Sequence, residues 1–540
     1  MRRTALLAPV ALFLVALVGC SADSAHDPIG TGEPEFSSNQ ATLLDFEFDA
    51  ELLADFSFDD KQTIEGQLLY TIGHLNADNS VGRLDKVALS NIKKTQVGAQ
   101  TKIAYHAKLP VAWGGKTNLP STYKLQLPKD VSSKGLETFT EAHKAACVDF
   151  GAHEVDTGSM WYYFRPHRSG CQIKPEEIIE VVATSRVSTE NTTAKFPEYH
   201  KVWEDNRLEI VAIFGKYESG GKAGDAGVEG FNQYVAMMKR ELRAVSSTVA
   251  TVPADASDAP APAVADVSFE ATLSDGKVVK VTALLVDAIT EVPAGFNERY
   301  ESLTPTADVI AYNGHAGLGQ NVRALAQMGR WVPAKYQMFF MNGCDTFAYV
   351  DGSLAQTRAK LNPDDPTGTK YMEFVTNAMP SFFSSMPSAS TALMKGLLSY
   401  AKPMTYDQMF ANIDRHEVVL VTGEEDNVFQ PGMPIGKAGG GGGSTFKGFE
   451  ESGTLARNIE KASSFDVPAG TYLVELTGDG DADLYVRKGT APTQKLFDCR
   501  PFANGSNEKC TVTFSEPGKL NVMVRGFAAT SSYKLVGKQQ

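Results

Sequence analysis

The sequence predicts a multidomain protein: an N-terminal α+β or mostly β domain, a central α/β domain with a largely parallel sheet, and a small C-terminal β-sandwich. The chain has 540 residues, enough for about two to four domains. Residues 205–425 alternate buried-strand runs with helical segments, which is typical of a parallel sheet covered on both faces. Five consecutive glycines at 439–443 separate this region from a stretch of short strands and turns.

The composition is that of a globular protein, with 43% apolar and 21% charged residues. The net charge is −13, which argues against nucleic acid as a partner because binding phosphates needs a basic patch. We expect no cofactor, and the sequence makes no prediction of the oligomeric state.

The N-terminus has the pattern of an export signal. Two arginines are followed by an apolar stretch from Ala5 to Val18, and Gly19-Cys20 ends it. This resembles a bacterial lipoprotein signal, which implies a signal peptide and a lipidated Cys20 in residues 1–20. An ordinary secretory signal with a cysteine at its cleavage site is the alternative. The resemblance implies a lipid anchor in the cell envelope, with the outer membrane expected, and a protein facing the periplasm or the cell surface.

Residues 21–40 are polar and rich in Ser, Gly, Pro and acidic side chains, so we interpret them as a disordered tether. An exported protein lies where disulfides persist. With Cys20 used by the lipid, the spacing of the remaining cysteines favours two disulfides, Cys499–Cys510 and Cys147–Cys171. Cys344 is then left as a free thiol, which is either reactive or buried as a small hydrophobic group.

The N-terminal domain is expected over residues 41–200. Alternating segments predict strands at Leu43–Ser57, Thr63–Ile72 and Thr101–Ala112, a helix near Leu136–Cys147 and a strand at Trp161–Arg165. Its role is open between an inhibitory pro-region and a recognition domain. Several His and Cys residues suggest zinc, but their spacings match no ligand pattern, and we predict no metal site: His143, Cys147, His153, His167 and Cys171.

The central α/β domain is expected over residues 205–425. Apolar runs predict strands at Leu208–Phe214, Lys277–Val286, Ala307–Tyr312, Gln337–Met341 and Val418–Thr422. Helices are predicted at Gly230–Val245, Phe296–Leu303 and Asn321–Met328. Residues 250–266 are rich in Ala and Pro and are interpreted as an insertion or linker. Alternatively they mark the true start of this domain, with Leu208–Val245 belonging to the first.

Two of the predicted strands end alike. One runs into Asn313-Gly314-His315-Ala316-Gly317, and the next runs into Asn342-Gly343-Cys344-Asp345. Ligands of open α/β sheets bind outside the carboxyl ends of the strands, so we expect His315 and Cys344 to face one crevice. A thiolate is a nucleophile that an imidazole can generate, and the same imidazole can protonate a leaving amine.

The glycines beside these two residues leave room for a substrate near the backbone. Backbone N–H groups in the two turns are candidates to hold a developing oxyanion. The candidate donors are the amides of Cys344 and of Ala316 or Gly317, in turns shaped by Gly314 and Gly343.

The paired strand-end motifs resemble those of the caspase, legumain and gingipain group of cysteine peptidases. The resemblance covers residues 205–425 and implies a caspase-like fold with His315 as general base and acid and Cys344 as nucleophile. The dyad of that group needs no third residue. That group usually has glycine directly after the histidine, where this chain has Ala316. Phe374–Ser385 is expected to hold the next strand and a substrate-pocket loop, and Asp345 and Asp351 are the acidic residues nearest to the motifs.

Beyond a Gly-rich linker at 436–448, residues 449–540 are predicted to form the β-sandwich. The segment from Gly478 to Arg487, followed by Cys499-Arg500-Pro501 and Cys510, resembles the bacterial pre-peptidase C-terminal domain. That resemblance implies a Cys499–Cys510 bridge and a module that accompanies secreted peptidases. Three alternating aspartates are either calcium ligands or turn residues, and we prefer the second interpretation: Asp479, Asp481 and Asp483.

The leading hypothesis is a membrane-anchored extracytoplasmic cysteine peptidase that uses a His–Cys dyad to hydrolyse peptide bonds in a protein or peptide substrate. The alternative is a non-catalytic binding lipoprotein, with an inactive caspase-like scaffold and a C-terminal module that binds protein or polysaccharide.

Overall fold

The computed structural model describes residues 36–55, 59–152, 154–289, 294–349, 352–414, 416–423, 427–436, 448–468, 470–514 and 518–539. The predicted signal peptide with Cys20, the tether up to residue 35, His153, Asp351 and the glycine run lie outside the described residues. Within those ranges, no helix has the length and apolar character needed to cross a membrane.

The end of the predicted tether is wrong. Ser37–Ser38 form strand β1, which pairs antiparallel with residues 420–421 at the edge of the central sheet. Phe36 is only 1% exposed, and its ring meets that of Phe347 edge to face at 6.1 Å. Because burying this ring and pairing β1 offset the entropy of ordering the chain, residues 36–40 belong to the folded protein and not to the predicted tether.

An antiparallel sheet forms most of the N-terminal domain, with strand order β3-β5-β2-β7-β6 and β4 paired to β5. The helices lie in the connections between these strands. The strands are β2 (Thr42–Ala54), β3 (Val81–Gly82), β4 (Ala88–Val97), β5 (Gln100–Trp113), β6 (Thr122–Pro128) and β7 (Ile178–Val187). The helices are α1 (Asp60–Leu68), α2 (Tyr70–Asn76), a 3₁₀ turn at Leu84–Lys86, α3 (Ser133–His143) and α4 (Met160–Tyr163).

Two predicted strands of this domain are helical instead. The segment predicted as a strand at Thr63–Ile72 lies in α1 and α2, because Asp59 caps α1 by accepting a hydrogen bond from the Gln62 amide. Ile64 and Leu68 then fall on one buried face at helical spacing. The strand predicted at Trp161–Arg165 is largely the short helix α4, held in a loop that the Cys147–Cys171 disulfide closes.

The central sheet has nine strands in the order β1-β15-β14-β13-β12-β8-β11-β10-β9. The five strands from β14 to β11 are mutually parallel, and β15, β10 and β9 add antiparallel edges. The strands are β8 (Arg207–Gly215), β9 (Val249–Val252), β10 (Asp266–Thr272), β11 (Val278–Val286), β12 (Val309–Asn313), β13 (Gln337–Asn342), β14 (Met372–Asn377) and β15 (Val419–Thr422).

Helices cover both faces of this sheet. One face packs on α6 and α11, and the other packs on α7 and α8 and joins the core of the N-terminal domain. The helices are α5 (Tyr199–Val202), α6 (Ala226–Val245), α7 (Ala294–Leu303), α8 (Gln320–Gln327), α9 (Thr346–Tyr349), α10 (Ser353–Leu361), α11 (Met386–Leu398) and α12 (Tyr406–Met409).

Two expected boundaries of the central domain are wrong. Helix α5, placed in the N-terminal domain by the 41–200 boundary, packs in the central core, where the Tyr199 hydroxyl donates to the Gly396 carbonyl at 2.7 Å. Residues 250–266 are not an extended linker, because they carry β9 and enter β10 at the sheet edge. Asn232 of α6 holds this segment through two hydrogen bonds to the backbone of Ala261. Strand β8 lies between β11 and β12 in the central sheet, so Leu208–Phe214 belongs to the central domain and not to the first.

The C-terminal residues form two packed antiparallel sheets. Their strand orders are β16-β22-β18-β20 and β17-β21-β19, and alternating side chains such as Val474, Leu484 and Val522 fill the space between them. The strands are β16 (Phe449–Ala456), β17 (Glu460–Val467), β18 (Gly470–Thr477), β19 (Ala482–Lys488), β20 (Glu508–Phe514), β21 (Gly518–Gly526) and β22 (Thr530–Gln539).

Candidate active site

The two strand-end motifs lie side by side in register. Parallel pairing of β12 and β13 puts Asn313 opposite Asn342, and the Gly314 amide donates to the Asn342 carbonyl at 3.2 Å. A Cβ on Gly343 would lie 2.7 Å from the Gly314 carbonyl oxygen, so only glycine lets the two turns approach this closely. The histidine and the cysteine therefore follow adjacent strand ends at equivalent positions.

A buried asparagine cluster ties the strand ends together. Strands β12, β13 and β14 all end in asparagine, and Asn342 joins the other two by hydrogen bonds of 3.0 Å to Asn313 and 2.8 Å from Asn377. Ser381 also donates to the Asn342 side-chain oxygen at 2.9 Å, and Ser390 donates to Asn313 at 2.7 Å. Because buried amides cost energy unless they are satisfied, this network fixes the position of the turns that follow.

His315 is exposed, and a backbone carbonyl orients its ring. Its Nε2 lies 3.1 Å from the Tyr217 carbonyl oxygen, and the rings of Tyr217 and Phe383 flank it at 5.1 and 5.0 Å. A carbonyl only accepts hydrogen bonds, so Nε2 carries the proton in the neutral ring and Nδ1 is left as a proton acceptor. This role of Tyr217 could not be predicted from residue types, because its backbone rather than its side chain performs it.

Cys344 is half-buried and its thiol donates toward the Ser381 carbonyl at 3.7 Å. Among the described residues, no hydrogen bond joins Cys344 to His315. Burial and the neighbouring Asp345 carboxylate raise the pKa of the Cys344 thiol to about 11. The cysteine is therefore a neutral thiol at physiological pH in this arrangement, and it becomes a nucleophile only when a base removes its proton.

The turn after His315 has its left-handed residues one position later than the family pattern suggests. Ala316 is 4% exposed and is not among the residues with positive φ, whereas Gly317 and Leu318 have φ of 59° and 51°. Alanine is therefore compatible with this turn. Within the described chain, the Ala316 and Gly317 amides donate to no protein acceptor, so they stay candidates for an oxyanion together with Cys344.

Asp345, directly after the nucleophile, is completely buried and adopts a left-handed φ of 53°. Its carboxyl accepts a hydrogen bond of 3.0 Å from Asn76 of helix α2. Burial raises the pKa of Asp345 to about 6. The side chain is committed to contacts inside the protein, so the structure gives it no open position from which to bind a basic substrate side chain.

Substituting Asp345 by asparagine is expected to change how stability depends on pH. The native state holds the Asp345 proton more tightly than the unfolded state does, so this group's contribution to stability falls as pH rises from about 4 to about 7. Asparagine stays neutral and tolerates positive φ. We expect Asp345→Asn to match wild type near pH 4 and to exceed it by up to about 3 kcal/mol at pH 8. Urea unfolding at both pH values measures this, and parallel pH curves would contradict it.

The N-terminal domain contributes a side chain that the sequence analysis missed. The Tyr162 hydroxyl lies close to the Cys344 thiol and the Asp345 carboxyl, whose negatively charged forms act on it. Burial raises the pKa of Tyr162 well above its usual range, and the nearby Asp345 and Cys344 raise it further. The available signal was the aromatic run Trp161-Tyr162-Tyr163-Phe164 inside a predicted disulfide loop, which we assigned to a strand.

A second missed group, the Glu417 carboxyl, lies outside the predicted pocket loop and is hydrogen-bonded to it. Strand β14 occupies the first part of Phe374–Ser385, and the loop after it carries the Ser381 carbonyl that accepts the thiol. Glu417, buried beneath this loop, accepts hydrogen bonds from the hydroxyls of Ser381 and Ser385. Burial raises the pKa of Glu417. Ser384, in the same loop, is exposed.

The cysteine pairing is confirmed. Cys147 bonds to Cys171 and Cys499 to Cys510, and Cys344 is a free thiol. In the described part of the chain, no three His, Cys, Asp or Glu side chains are grouped as a metal site requires. In the candidate calcium segment, Asp481 accepts from the Gly505 amide at 3.0 Å and Asp483 pairs with Arg500 at 3.3 Å.

Comparison with known proteins concerns the C-terminal region. Residues 461–526 match the family described as the bacterial pre-peptidase C-terminal domain. "Alkaline serine exoprotease A" of Vibrio alginolyticus is 46% identical over 72 residues, 13% of this chain and 14% of that protein. "Virulence metalloprotease" of Vibrio anguillarum is 38% identical over 81 residues, 15% of this chain and 13% of that protein. The chain thus spans about one seventh of the length of these relatives.

A solved pre-peptidase C-terminal domain of collagenase from Bacillus anthracis is 16% identical, with a TM-score of 0.15, and covers 17% of this chain and 88% of that domain. The family match lies inside the sandwich of strands β16–β22 and includes the Cys499–Cys510 bridge. The C-terminal sandwich of this chain is a bacterial pre-peptidase C-terminal domain, a module that its relatives combine with proteases of unrelated catalytic types.

Proposed function

We propose that this chain is a cysteine peptidase of caspase-like fold, held at the cell envelope by a lipid on Cys20, and that His315 and Cys344 form its dyad. The observation that carries the proposal is the in-register alignment of the two turns on adjacent parallel strands. Five parallel strands bordered by antiparallel β15 support the fold, and the C-terminal domain shared with proteases supports a protein substrate.

The proposed reaction begins when Cys344 turns from the Ser381 carbonyl toward His315. Nδ1 of His315 takes the thiol proton, and the sulfur attacks the carbonyl carbon of the peptide bond. Amides among Ala316, Gly317 and Cys344 stabilise the negative oxygen. His315 then returns the proton to the nitrogen as the C–N bond breaks, which leaves a thioester on Cys344 and a free amine. Water, losing a proton to His315, attacks the thioester, releases the acid and restores the thiol.

The lipoprotein-like signal supports the proposed lipid anchor, and the disulfides support a place outside the cytosol. Two disulfides in the described chain fit an oxidising compartment, and a diacylated cysteine gives stable membrane attachment. Substituting Cys20→Ser is expected to move the protein from the membrane fraction to the soluble fraction. Retention of the variant in the membrane fraction would contradict the anchor.

A non-catalytic binding lipoprotein is the second candidate. It is favoured by the resting geometry, since the Cys344 thiol donates to the Ser381 carbonyl and lies beside Tyr162 rather than bonding to His315. On this reading the raised thiol pKa reflects an inert buried cysteine. The two candidates differ in whether His315 activates the thiol.

Covalent trapping tests the peptidase proposal. The full chain is incubated for many hours with a mixture of peptidyl acyloxymethyl ketones, which react with activated thiols, and adducts are located by mass spectrometry. Because the adduct accumulates, a thiol that is uncovered only transiently is still detected. We expect a thioether at Cys344 in wild type and none in His315→Ala. An absent adduct, or one that forms equally in His315→Ala, would favour the binding protein.

A further inference from the structure

A short segment of the N-terminal domain lies directly on the candidate nucleophile. Cys147 and Cys171, 24 residues apart, close a loop that carries helix α4. Residues Met160–Phe164, called the cover below, present Tyr162 to the Cys344 thiol and the Asp345 carboxyl. Trp161 meets the ring of Tyr349 of helix α9 at 6.4 Å, so the cover contacts the nucleophile turn and the helix that follows it.

The cover is held in place by its own domain. Arg165 donates from one guanidinium nitrogen to the carbonyls of Gly73, Tyr162 and Phe164, at 2.5, 3.1 and 3.1 Å. Its other terminal nitrogen pairs with Asp149 at 3.1 Å. These bonds fix the backbone of the cover against helix α2, which itself supplies Asn76 to Asp345.

Close backbone packing supports the same geometry. A Cβ on Gly73 would lie 2.4 Å from the Trp161 carbonyl oxygen and 2.7 Å from that of Tyr162. Helix α2 and the cover therefore press together with no room for a side chain at this position. The cover is a built element of the domain rather than a loose loop resting near the site.

The two dyad residues are unequally accessible. His315 is exposed to solvent, whereas Cys344 is half-buried and lies under Tyr162. A peptide bond has to come within bonding distance of the sulfur before the thiol can react. Tyr162 lies beside that thiol, so a side chain of the same chain competes with a substrate for the space next to the sulfur.

We propose that the N-terminal domain is an autoinhibitory domain whose cover keeps Cys344 latent, and that substrate enters only when the cover moves away. This rests on the proposed peptidase function. Movement has to break the hydrogen bond of Asn76 to Asp345 and the ring contact of Trp161 with Tyr349, and it removes Tyr162 from beside Cys344. The disulfide keeps the loop closed, so a single backbone cut inside it leaves the two cut ends linked.

Alkylation of Cys344 in the full chain tests the cover. Iodoacetamide labelling at pH 8 is followed by mass spectrometry for wild type, Tyr162→Ala and Phe150→Ala, a control in the same disulfide loop whose side chain is 92% exposed. We expect Cys344 to label at least about tenfold faster in Tyr162→Ala, because opening no longer has to precede reaction, and Phe150→Ala to match wild type. Rates within twofold of one another in all three chains, on the order of experimental error, would overturn the cover.

A second variant keeps the test independent of Tyr162. Gly73→Ala is expected to displace the cover from the opposite side and to speed labelling in the same direction. Circular dichroism and the denaturation midpoint verify that each variant is folded. Slow labelling in a folded Gly73→Ala chain would also count against the cover.

The labelling rate does not depend on the proposed catalysis, so the two proposals fail separately. Fast labelling of Tyr162→Ala without peptide cleavage would keep the cover and reject the peptidase. Rapid peptide cleavage by wild type, with labelling unaffected by Tyr162→Ala, would keep the peptidase and reject the cover.

Discussion

In the uncovered Tyr162→Ala chain, adding His315→Ala is expected to lower kcat/KM for peptide cleavage by roughly 10²–10⁴, the usual contribution of a general acid–base group. The imidazole takes the thiol proton and returns it to the leaving amine, and no other described side chain is hydrogen-bonded so as to replace it. The global fold should be unaffected, because the exposed His315 side chain contacts one carbonyl and two rings among the described residues.

The control for that result is His106→Ala. His106 is also a partly exposed histidine with one polar partner, Asp49 at 2.9 Å, and it lies on β5 of the N-terminal domain. Its substitution should leave kcat/KM unchanged. Equal activity of Tyr162→Ala and Tyr162→Ala/His315→Ala would remove His315 from the mechanism.

Loss of the Cys147–Cys171 disulfide is expected to have the second large effect. The bridge closes a loop of 24 residues, and removing such a bridge typically costs about 3 kcal/mol. In the double variant Cys147→Ser/Cys171→Ser, the cover loses the constraint that holds α4 over the thiol. We expect a lower denaturation midpoint of the N-terminal domain together with faster alkylation of Cys344.

The second disulfide provides a matched control. Cys499→Ser/Cys510→Ser removes a bridge between residues 11 apart in the C-terminal sandwich. It should destabilise that sandwich and leave the alkylation rate of Cys344 unchanged. If both double variants speed labelling equally, general loosening rather than the cover explains the effect.

Strongly periodic segments were predicted close to their observed bounds. The run Leu208–Phe214 lies within β8, and the helix predicted from Gly230 extends to α6 at Ala226–Val245. The start of α6 was missed because its first turn is glycine-rich, and Asp225 stabilises it by accepting from the Gly227 and Val228 amides at 2.8 and 3.1 Å. Apolar periodicity predicts which segment is buried, and caps decide where it ends.

The candidate site could be predicted in its local part only. The turns around His315 and Cys344 are visible in the sequence because each follows an apolar run and contains glycine. Tyr162 and Asn76 come from another domain, between about 180 and 270 residues away along the chain, and no local pattern links them to the motif. The roles of the Tyr217 and Ser381 carbonyls could not be predicted either, because backbone atoms are the same in every residue type.

The central claim is that Cys344 hydrolyses peptide bonds. The most direct measurement is the digestion of a denatured protein mixture by the full-length Tyr162→Ala chain and by Tyr162→Ala/Cys344→Ala, with new peptide termini identified by mass spectrometry. We expect a defined set of cleavages in the first chain and none of them in the second. Identical cleavage by both chains, or cleavage by neither, would contradict it.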